Sequence, residues 1–102
     1  MSKIKSEYSD LNKYEYDNGN IFYCKKDTDI RYNPYGPAVI YKDGIKFYLI
    51  QDKCHRLDGP AVIYPDGRGL YYINGKYLTK EEFEYHPERL KYLGKEHLIC
   101  LK

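Results

Sequence analysis

A nine-residue segment of this chain occurs twice. Residues 36–44 read Gly-Pro-Ala-Val-Ile-Tyr-Lys-Asp-Gly, and residues 59–67, 23 positions later, differ only by Pro in place of Lys. The alignment extends without a gap over residues 36–53 and 59–76, with eleven identities in eighteen positions. A chain that repeats a short unit builds its fold by stacking copies of that unit. The sequence therefore predicts a repeat array.

A third, more divergent copy precedes these two. Residues 16–19 match residues 41–44 at an offset of 25, and at the same offset Arg31 aligns with Arg56. The two-residue difference in offset is assigned to the segment that starts at Arg31, because connections tolerate insertions better than strands do.

Each copy predicts an antiparallel β-hairpin. The shared pattern Tyr-x-(Asp/Asn)-Gly places a turn between two apolar runs, and Gly accepts the positive φ that such turns need. Asn74-Gly75 predicts one more turn, which leads into a short strand at residues 76–78. Alternation along a strand places Ile45, Phe47 and Leu49 on one face of the sheet and Lys46, Tyr48 and Ile50 on the other. The predicted hairpin strands are 13–17 with 20–25, 38–41 with 45–50, and 61–64 with 70–73.

The pattern changes to a helical one after residue 78. Thr79-Lys-Glu-Glu82 has the form of a capping box, and Phe83 gives the short helix an apolar anchor. Pro87 is suited to begin a second helix, over residues 87–93, which Gly94 would end. The apolar tail at residues 96–102 is expected to pack on the domain or to add a strand.

One domain is the expected organisation for 102 residues. Residues 1–12 are a polar segment, predicted to be partly disordered; residues 13–78 hold three hairpin repeats; residues 79–102 are the helical cap and tail. The predicted fold class is mainly β, a single twisted sheet of stacked antiparallel hairpins with a short C-terminal helical cap. With no apolar run of membrane-spanning length and a polar N-terminus, we expect a cytoplasmic protein with no membrane partner.

The composition stands out in its 14 tyrosines, beside three phenylalanines and no tryptophan. Tyrosine suits a sheet with one wet face, since the ring packs while the hydroxyl reaches water. These rings are expected either to pack as cross-strand pairs or to form part of a binding surface. The net charge of +2 is evenly spread along the chain, which does not favour nucleic-acid binding.

The residues that carry chemistry do not form a catalytic or metal-ligating pattern. Cys24, Cys54 and Cys100 are too far apart in sequence for a zinc motif and are predicted to be free thiols. His55 and Asp58 could pair in catalysis, but the structural interpretation is favoured: Asp58 caps the turn into Gly59-Pro60, and Arg56 ties one hairpin to the next. No catalytic residue, metal site or cofactor is predicted.

One phrase of the sequence resembles a known family. Residues 54–61, Cys-His-Arg-Leu-Asp-Gly-Pro-Ala, together with residues 64–67 and 71–76, resemble the His-Arg-x-Asp-Gly-Pro-Ala repeat proteins. These occur in giant DNA viruses, phages and bacteria and are similar in kind to MORN repeats, which stack hairpins into one elongated sheet. The resemblance covers residues 36–93 and implies a viral or phage source and work in a host cytoplasm. The chain departs from the family at residues 33–35, in place of a short Arg-x-Asp connection, and at residues 71–72, where the family usually has Trp-Tyr.

Function is expected to lie in binding. The short helices can cover one face of a sheet that is apolar on both, which leaves an aromatic surface for another protein, a host protein to be bound and inhibited, or for a second copy in a homodimer. A first alternative is a nucleotide-like ligand stacked in a tyrosine-lined groove, with Arg56, Arg68 or Lys76 meeting phosphate. A second is a self-assembling structural protein. The candidate partner-binding residues are Tyr35, Tyr48, His55, Arg56, Arg68, Tyr71 and Tyr72.

Overall fold

The computed structural model describes the backbone of residues 2–5 and both backbone and side chains of residues 10–94. The predicted tail at residues 96–102, and Cys100 within it, lies outside the described residues. The strands are β1 (Ser2–Lys5), β2 (Leu11–Glu15), β3 (Ile21–Lys25), β4 (Val39–Ile40), β5 (Lys46–Phe47), β6 (Leu49–Ile50), β7 (Lys53–Cys54), β8 (Val62–Ile63), β9 (Gly69–Ile73) and β10 (Lys76–Leu78), followed by helices α1 (Lys80–Glu84) and α2 (Pro87–Tyr92).

Eight strands form one antiparallel sheet in the order β1-β2-β3-β4-β5-β8-β9-β10, and β6 pairs with β7 as a separate two-stranded sheet. The predicted fold class, mainly antiparallel β with a short C-terminal helical cap, is confirmed. The small β6–β7 sheet is an addition that the sequence did not predict. The molecule is elongated, with extents of 51 × 31 × 19 Å.

Strand β2 begins earlier than predicted. Leu11 and Asn12 pair with Lys25 and Cys24 of β3, and both are buried. They therefore belong to the first hairpin and not to the polar segment 1–12. Strand β1 in that segment pairs antiparallel with β2.

The three predicted Asp-Gly and Asn-Gly turns lie at the same end of the strands. Gly19, Gly44 and Gly67 have φ of +94°, +99° and +94°, a conformation that L side chains rarely adopt. Each glycine N–H donates to the carbonyl of the tyrosine three residues earlier, as Gly44 does to Tyr41 at 2.9 Å. The Tyr-x-(Asp/Asn)-Gly pattern therefore sets these turns as expected.

A second series of turns lies at the opposite end of the strands. Asn74-Gly75 joins β9 to β10, as predicted, but Gln51-Asp52 joins β6 to β7 with φ of +52° and +65° and no glycine. In the first unit the corresponding turn spans residues 26–29, closed by the Lys25 N–H bond to the Ile30 carbonyl at 2.8 Å. Each unit thus contains two turns, and the sequence revealed only one of these second turns.

The hydrogen bonds between units correct the repeat alignment. The N–H of Asn33 donates to Leu49 O at 3.1 Å, and the N–H of Arg56 donates to Tyr72 O at 3.1 Å. Both ends of the second bond lie 23 residues after the first, so Arg56 corresponds to Asn33 and not to Arg31. The two extra residues are in the turn at 26–29, which has four residues where the β6–β7 turn has two. The predicted insertion between residues 31 and 36 was wrong, because the segments that bond one unit to the next need the same length in both units.

The two faces of the sheet differ. Register and alternation place Phe22, Val39, Phe47, Val62 and Leu70 in a row on one face. There an edge-to-face aromatic ladder runs from Tyr16 through Phe22 and Tyr41 to Phe47, with ring centroids 5.3–6.0 Å apart.

The opposite face carries Tyr48, Ile50, Tyr71 and the helical cap. A packed cluster lies under this cap, where Ile73, Leu78 and Phe83 are buried and Leu57 and Tyr71 pack against them. Burial of Phe83 fixes α1 on the last strands.

The capping box that begins the cap is present as predicted. The Thr79 hydroxyl accepts from the Glu82 N–H at 3.1 Å, and Glu82 Oε1 accepts from the Thr79 N–H at 2.9 Å. Helix α2 ends at Tyr92, one residue before the predicted Leu93. Within the described part of the chain, neither helix has the length and apolar character of a membrane-spanning segment.

Candidate functional site: a cleft between two connectors

An open cleft of about 440 Å³ lies on the face that carries the cap. One wall is residues 33–36, the first connector, and the other is residues 55–58, the second connector. Tyr48 and Ile50 line it between the two walls, and Tyr92 of α2 contributes at the cap side. We call this the connector cleft. Its volume is in the range that accommodates a small ligand or a large side chain.

Four of the seven candidate residues meet in this cleft: Tyr35, Tyr48, His55 and Arg56. The other three lie elsewhere. Arg68 is at an exposed hairpin tip, where its Nε donates to Asp66 Oδ2 at 2.8 Å. Tyr71 packs against Phe83 under the cap, and Tyr72 packs against Tyr77 with ring centroids 5.6 Å apart.

Arg56 is held in place by three contacts. Its Nε donates to Asp58 Oδ1 at 2.8 Å, and its Nη1 donates to the Pro60 carbonyl at 3.1 Å. Its Cζ lies 4.0 Å from the Tyr48 ring centroid, a cation–π contact. Gly59 makes this arrangement possible, because a Cβ there would be 2.9 Å from the Arg56 Cζ. Arg56 thus links the second connector to the next unit, and Asp58 orients Arg56.

Asn33 performs the same task in the first connector. Its Nδ2 donates to the Pro37 carbonyl at 3.0 Å, and its Oδ1 accepts from the Tyr35 N–H at 2.9 Å. Asn33 is 7% exposed, so an unpaired amide there would be costly. Sequence reasoning missed this residue; the ungapped offset of 23 from Arg56 was the signal that would have found it.

His55 contributes a hydrogen-bond donor of defined tautomer. Its Nδ1 accepts from the Asn74 N–H at 2.9 Å, which leaves the proton of the neutral ring on Nε2. Burial lowers the pKa of His55 below its ordinary value, against an opposing effect of Glu88 and with a further lowering by His86. Near neutral pH the imidazole is therefore uncharged, and Nε2–H is the group available to a ligand.

Asn74, which donates to His55, is itself held by a hydrogen bond to helix α2. The Asn74 side chain donates from Nδ2 to Glu88 Oε2 at 2.9 Å, which ties the β9–β10 turn to α2. The cap that positions Tyr92 is thereby connected to the turn that positions His55.

The charges near the cleft are largely balanced. Arg56 is neutralised by Asp58, while Arg68 and Lys76, the other two cations expected to meet phosphate, do not line the cleft. At the first connector, the Tyr35 hydroxyl donates to the carboxylate of Asp10, with 3.3 Å between Tyr35 Oη and Asp10 Oδ2. A cleft of this kind suits a neutral aromatic or polar ligand better than a multiply charged anion.

The reactive groups are engaged in other contacts or protonated. Asp58 is engaged by Arg56, and His55 by Asn74. Cys24 and Cys54 are free thiols, and burial raises the pKa of each, so both are protonated and weakly nucleophilic near neutral pH. Among residues 10–94 no three His, Cys, Asp or Glu side chains come together as a metal site.

Comparison of the chain with protein-family models, with curated proteins and with solved structures gives no match in any of the three. Membership of the His-Arg-x-Asp-Gly-Pro-Ala repeat proteins stays a prediction from the motif.

Proposed function

We propose that this chain is a non-enzymatic interaction module that binds another protein through the connector cleft. The observation that carries the proposal is the set of three tyrosines, Tyr35, Tyr48 and Tyr92, around the stacked guanidinium of Arg56. Tyr35 and Tyr92 are 57% and 59% exposed, so a partner can reach both side chains. Tyrosine and arginine are the residue types enriched where protein interfaces concentrate their binding energy.

The rigidity of the two walls supports the same function. Asn33 and Arg56 fix the connectors to the strands that follow, and the β9–β10 turn holds His55. A site that is formed before its ligand arrives loses little conformational entropy on binding. The motif adds a narrower proposal, that the source is a virus or phage and the partner a host protein.

Panning a library of short random peptides against the chain tests the function. Peptides that bind through the cleft should lose about tenfold or more in affinity when Tyr35 and Tyr92 are both replaced by alanine. Tyr85→Ala is the matched control, since Tyr85 is 54% exposed and lies outside the cleft lining. Failure to enrich any peptide, or equal affinity for the double variant, would overturn the proposal.

Two further arms separate the alternatives. A thermal-shift screen over linear and cyclic nucleotides would favour the small-ligand function if a rise in Tm disappears in Arg56→Ala. Sedimentation over a concentration series would favour self-assembly if the mass grows beyond a monomer and the cleft variants prevent that growth.

A further inference from the structure

The third unit contains a second copy of the cleft floor. At the offset of 23, Tyr48 corresponds to Tyr71, Ile50 to Ile73, and His55 to Leu78. In the third unit this floor is covered: Phe83 of α1 packs on Tyr71 with ring centroids 4.5 Å apart and an interplanar angle of 32°. Phe83 is 3% exposed, and Ile73 and Leu78 are buried beside it.

The wall residues follow the same correspondence. Leu57 packs into the third-unit cluster from the preceding connector. Its equivalent in the connector cleft is Pro34, which is exposed and shorter. The two sites therefore have equivalent floors. They differ because Phe83 and Leu57 of the chain itself cover the floor in the third unit.

A guanidinium takes part in the stacking in both units, at different positions. In the third unit the Phe83 ring contacts Tyr71 and the guanidinium of Arg89, whose Cζ is 4.7 Å from the Phe83 ring centroid. In the connector cleft the Tyr48 ring carries the Arg56 guanidinium at 4.0 Å. A guanidinium stacks favourably on aromatic faces. The Tyr48–Arg56 pair thus presents a surface suited to one more ring.

We infer that the connector cleft binds an aromatic side chain of a partner protein, over the floor that corresponds to the one Phe83 covers in the third unit. This deepens the proposed function and rests on it. The incoming ring packs against Ile50 and on the Arg56 guanidinium. His55 adds a polar contact that Leu78 cannot make, because its Nε2–H can donate to the backbone carbonyl of the aromatic residue.

N-acetyl-phenylalanine amide is the probe for this inference, titrated into the ¹⁵N-labelled chain and followed by NMR. We expect saturable shifts confined to residues 33–36, 48–50 and 55–58. N-acetyl-cyclohexylalanine amide has a similar apolar bulk without the π-system and should bind about threefold more weakly or worse. Equal affinity for the two amides, or shifts outside the cleft, would overturn the inference.

Two variants copy the closed site into the open one. Pro34→Leu introduces the leucine of the third unit and should reduce binding of the phenylalanine probe. His55→Leu introduces the third-unit residue at the donor position and should weaken the amide probe while leaving toluene unaffected. Unchanged affinity in both variants would place the probe elsewhere and contradict the inference.

The peptide library separates the two proposals. Peptides that bind the cleft without a shared aromatic residue would refute the inference and leave the interaction function standing. Absence of any cleft-dependent peptide would refute the function, whatever the phenylalanine probe does.

Discussion

Asn33 and Arg56 make the same hydrogen bond 23 residues apart. Asn33 Nδ2 donates to the carbonyl of Pro37 at 3.0 Å, and Arg56 Nη1 donates to the carbonyl of Pro60 at 3.1 Å. In each case a connector side chain binds the carbonyl of the proline that lies two residues before the next strand. Two chemically different residues thus hold consecutive units together.

Arg56→Ala should lower the free energy of unfolding by about 1–3 kcal/mol, because it leaves the Pro60 carbonyl without its donor and removes the guanidinium from Tyr48. Arg68→Ala is the matched control: Arg68 also has an aspartate partner at 2.8 Å and a cation–π contact, with Tyr64, but its side chain is 75% exposed against 22% for Arg56. Urea unfolding measures both. A larger loss in the Arg68 variant would contradict the assigned role of Arg56.

His55 should make stability depend on pH. Burial holds the pKa of His55 in the folded chain below its ordinary value of 6.5. As pH falls from 6.5 toward that lower pKa, the unfolded chain binds a proton that the folded chain does not, so the free energy of unfolding decreases; above pH 6.5 the contribution is fully present.

His55→Leu isolates this effect, since leucine is accommodated at the equivalent Leu78. The wild-type free energy of unfolding, measured by urea titration from neutral to mildly acidic pH, should fall more steeply than that of the variant. Parallel pH profiles would show that His55 titrates alike in both states.

Gly69 should not tolerate a side chain. A Cβ at Gly69 would lie 2.6 Å from the Pro60 Cβ and 3.3 Å from the Val62 carbonyl. Gly69→Ala is expected to lower the free energy of unfolding by about 1–3 kcal/mol through this overlap. Gly36→Ala serves as the control, because the nearest atom to its added Cβ is 3.9 Å away. Thermal unfolding that ranks the two variants in the opposite order would contradict the packing described.

Two substitutions of the exposed Gln51, in the Gln51-Asp52 turn, should change stability in opposite directions. Gln51 has φ of +52°, which asparagine adopts more readily than glutamine and which a β-branched residue resists. Gln51→Asn should raise the thermal midpoint, and Gln51→Val should lower stability by about 1–2 kcal/mol. A stabilising valine would show that the turn changes conformation.

The parts of the fold that were predicted from sequence depend on local signals. The Asp-Gly turns and the Thr79–Glu82 capping box require particular residue types within four positions, so the pattern alone reveals them. The Gln51-Asp52 turn lacks such a signal. It is supported from 21 residues away, where the Arg31 N–H donates to Asp52 Oδ1 at 2.7 Å.

The candidate site was predicted in part for the same reason. Tyr35, Tyr48, His55 and Arg56 lie within one repeat length, and the repeat brings them together. Tyr92 reaches the cleft only because the cap folds back onto the sheet. Tyr71 looked equivalent to Tyr48, and it is, but the cap covers it. The correspondence of Asn33 with Arg56 was hidden because amide and guanidinium groups perform one task with different residue types.

Thr79 stands 23 residues after Arg56, at the position where the two earlier units bind the next strand, and there it begins a helix instead. The residues that end the repeat array are therefore at one place in the chain, and they do not depend on how many units precede them. Insertion of whole 23-residue units ahead of Thr79 would lengthen the sheet and leave its C-terminal cap unchanged. Each inserted unit would bring another open floor, so under the proposed binding function the number of sites would follow the number of units and could change separately from the chemistry of each site.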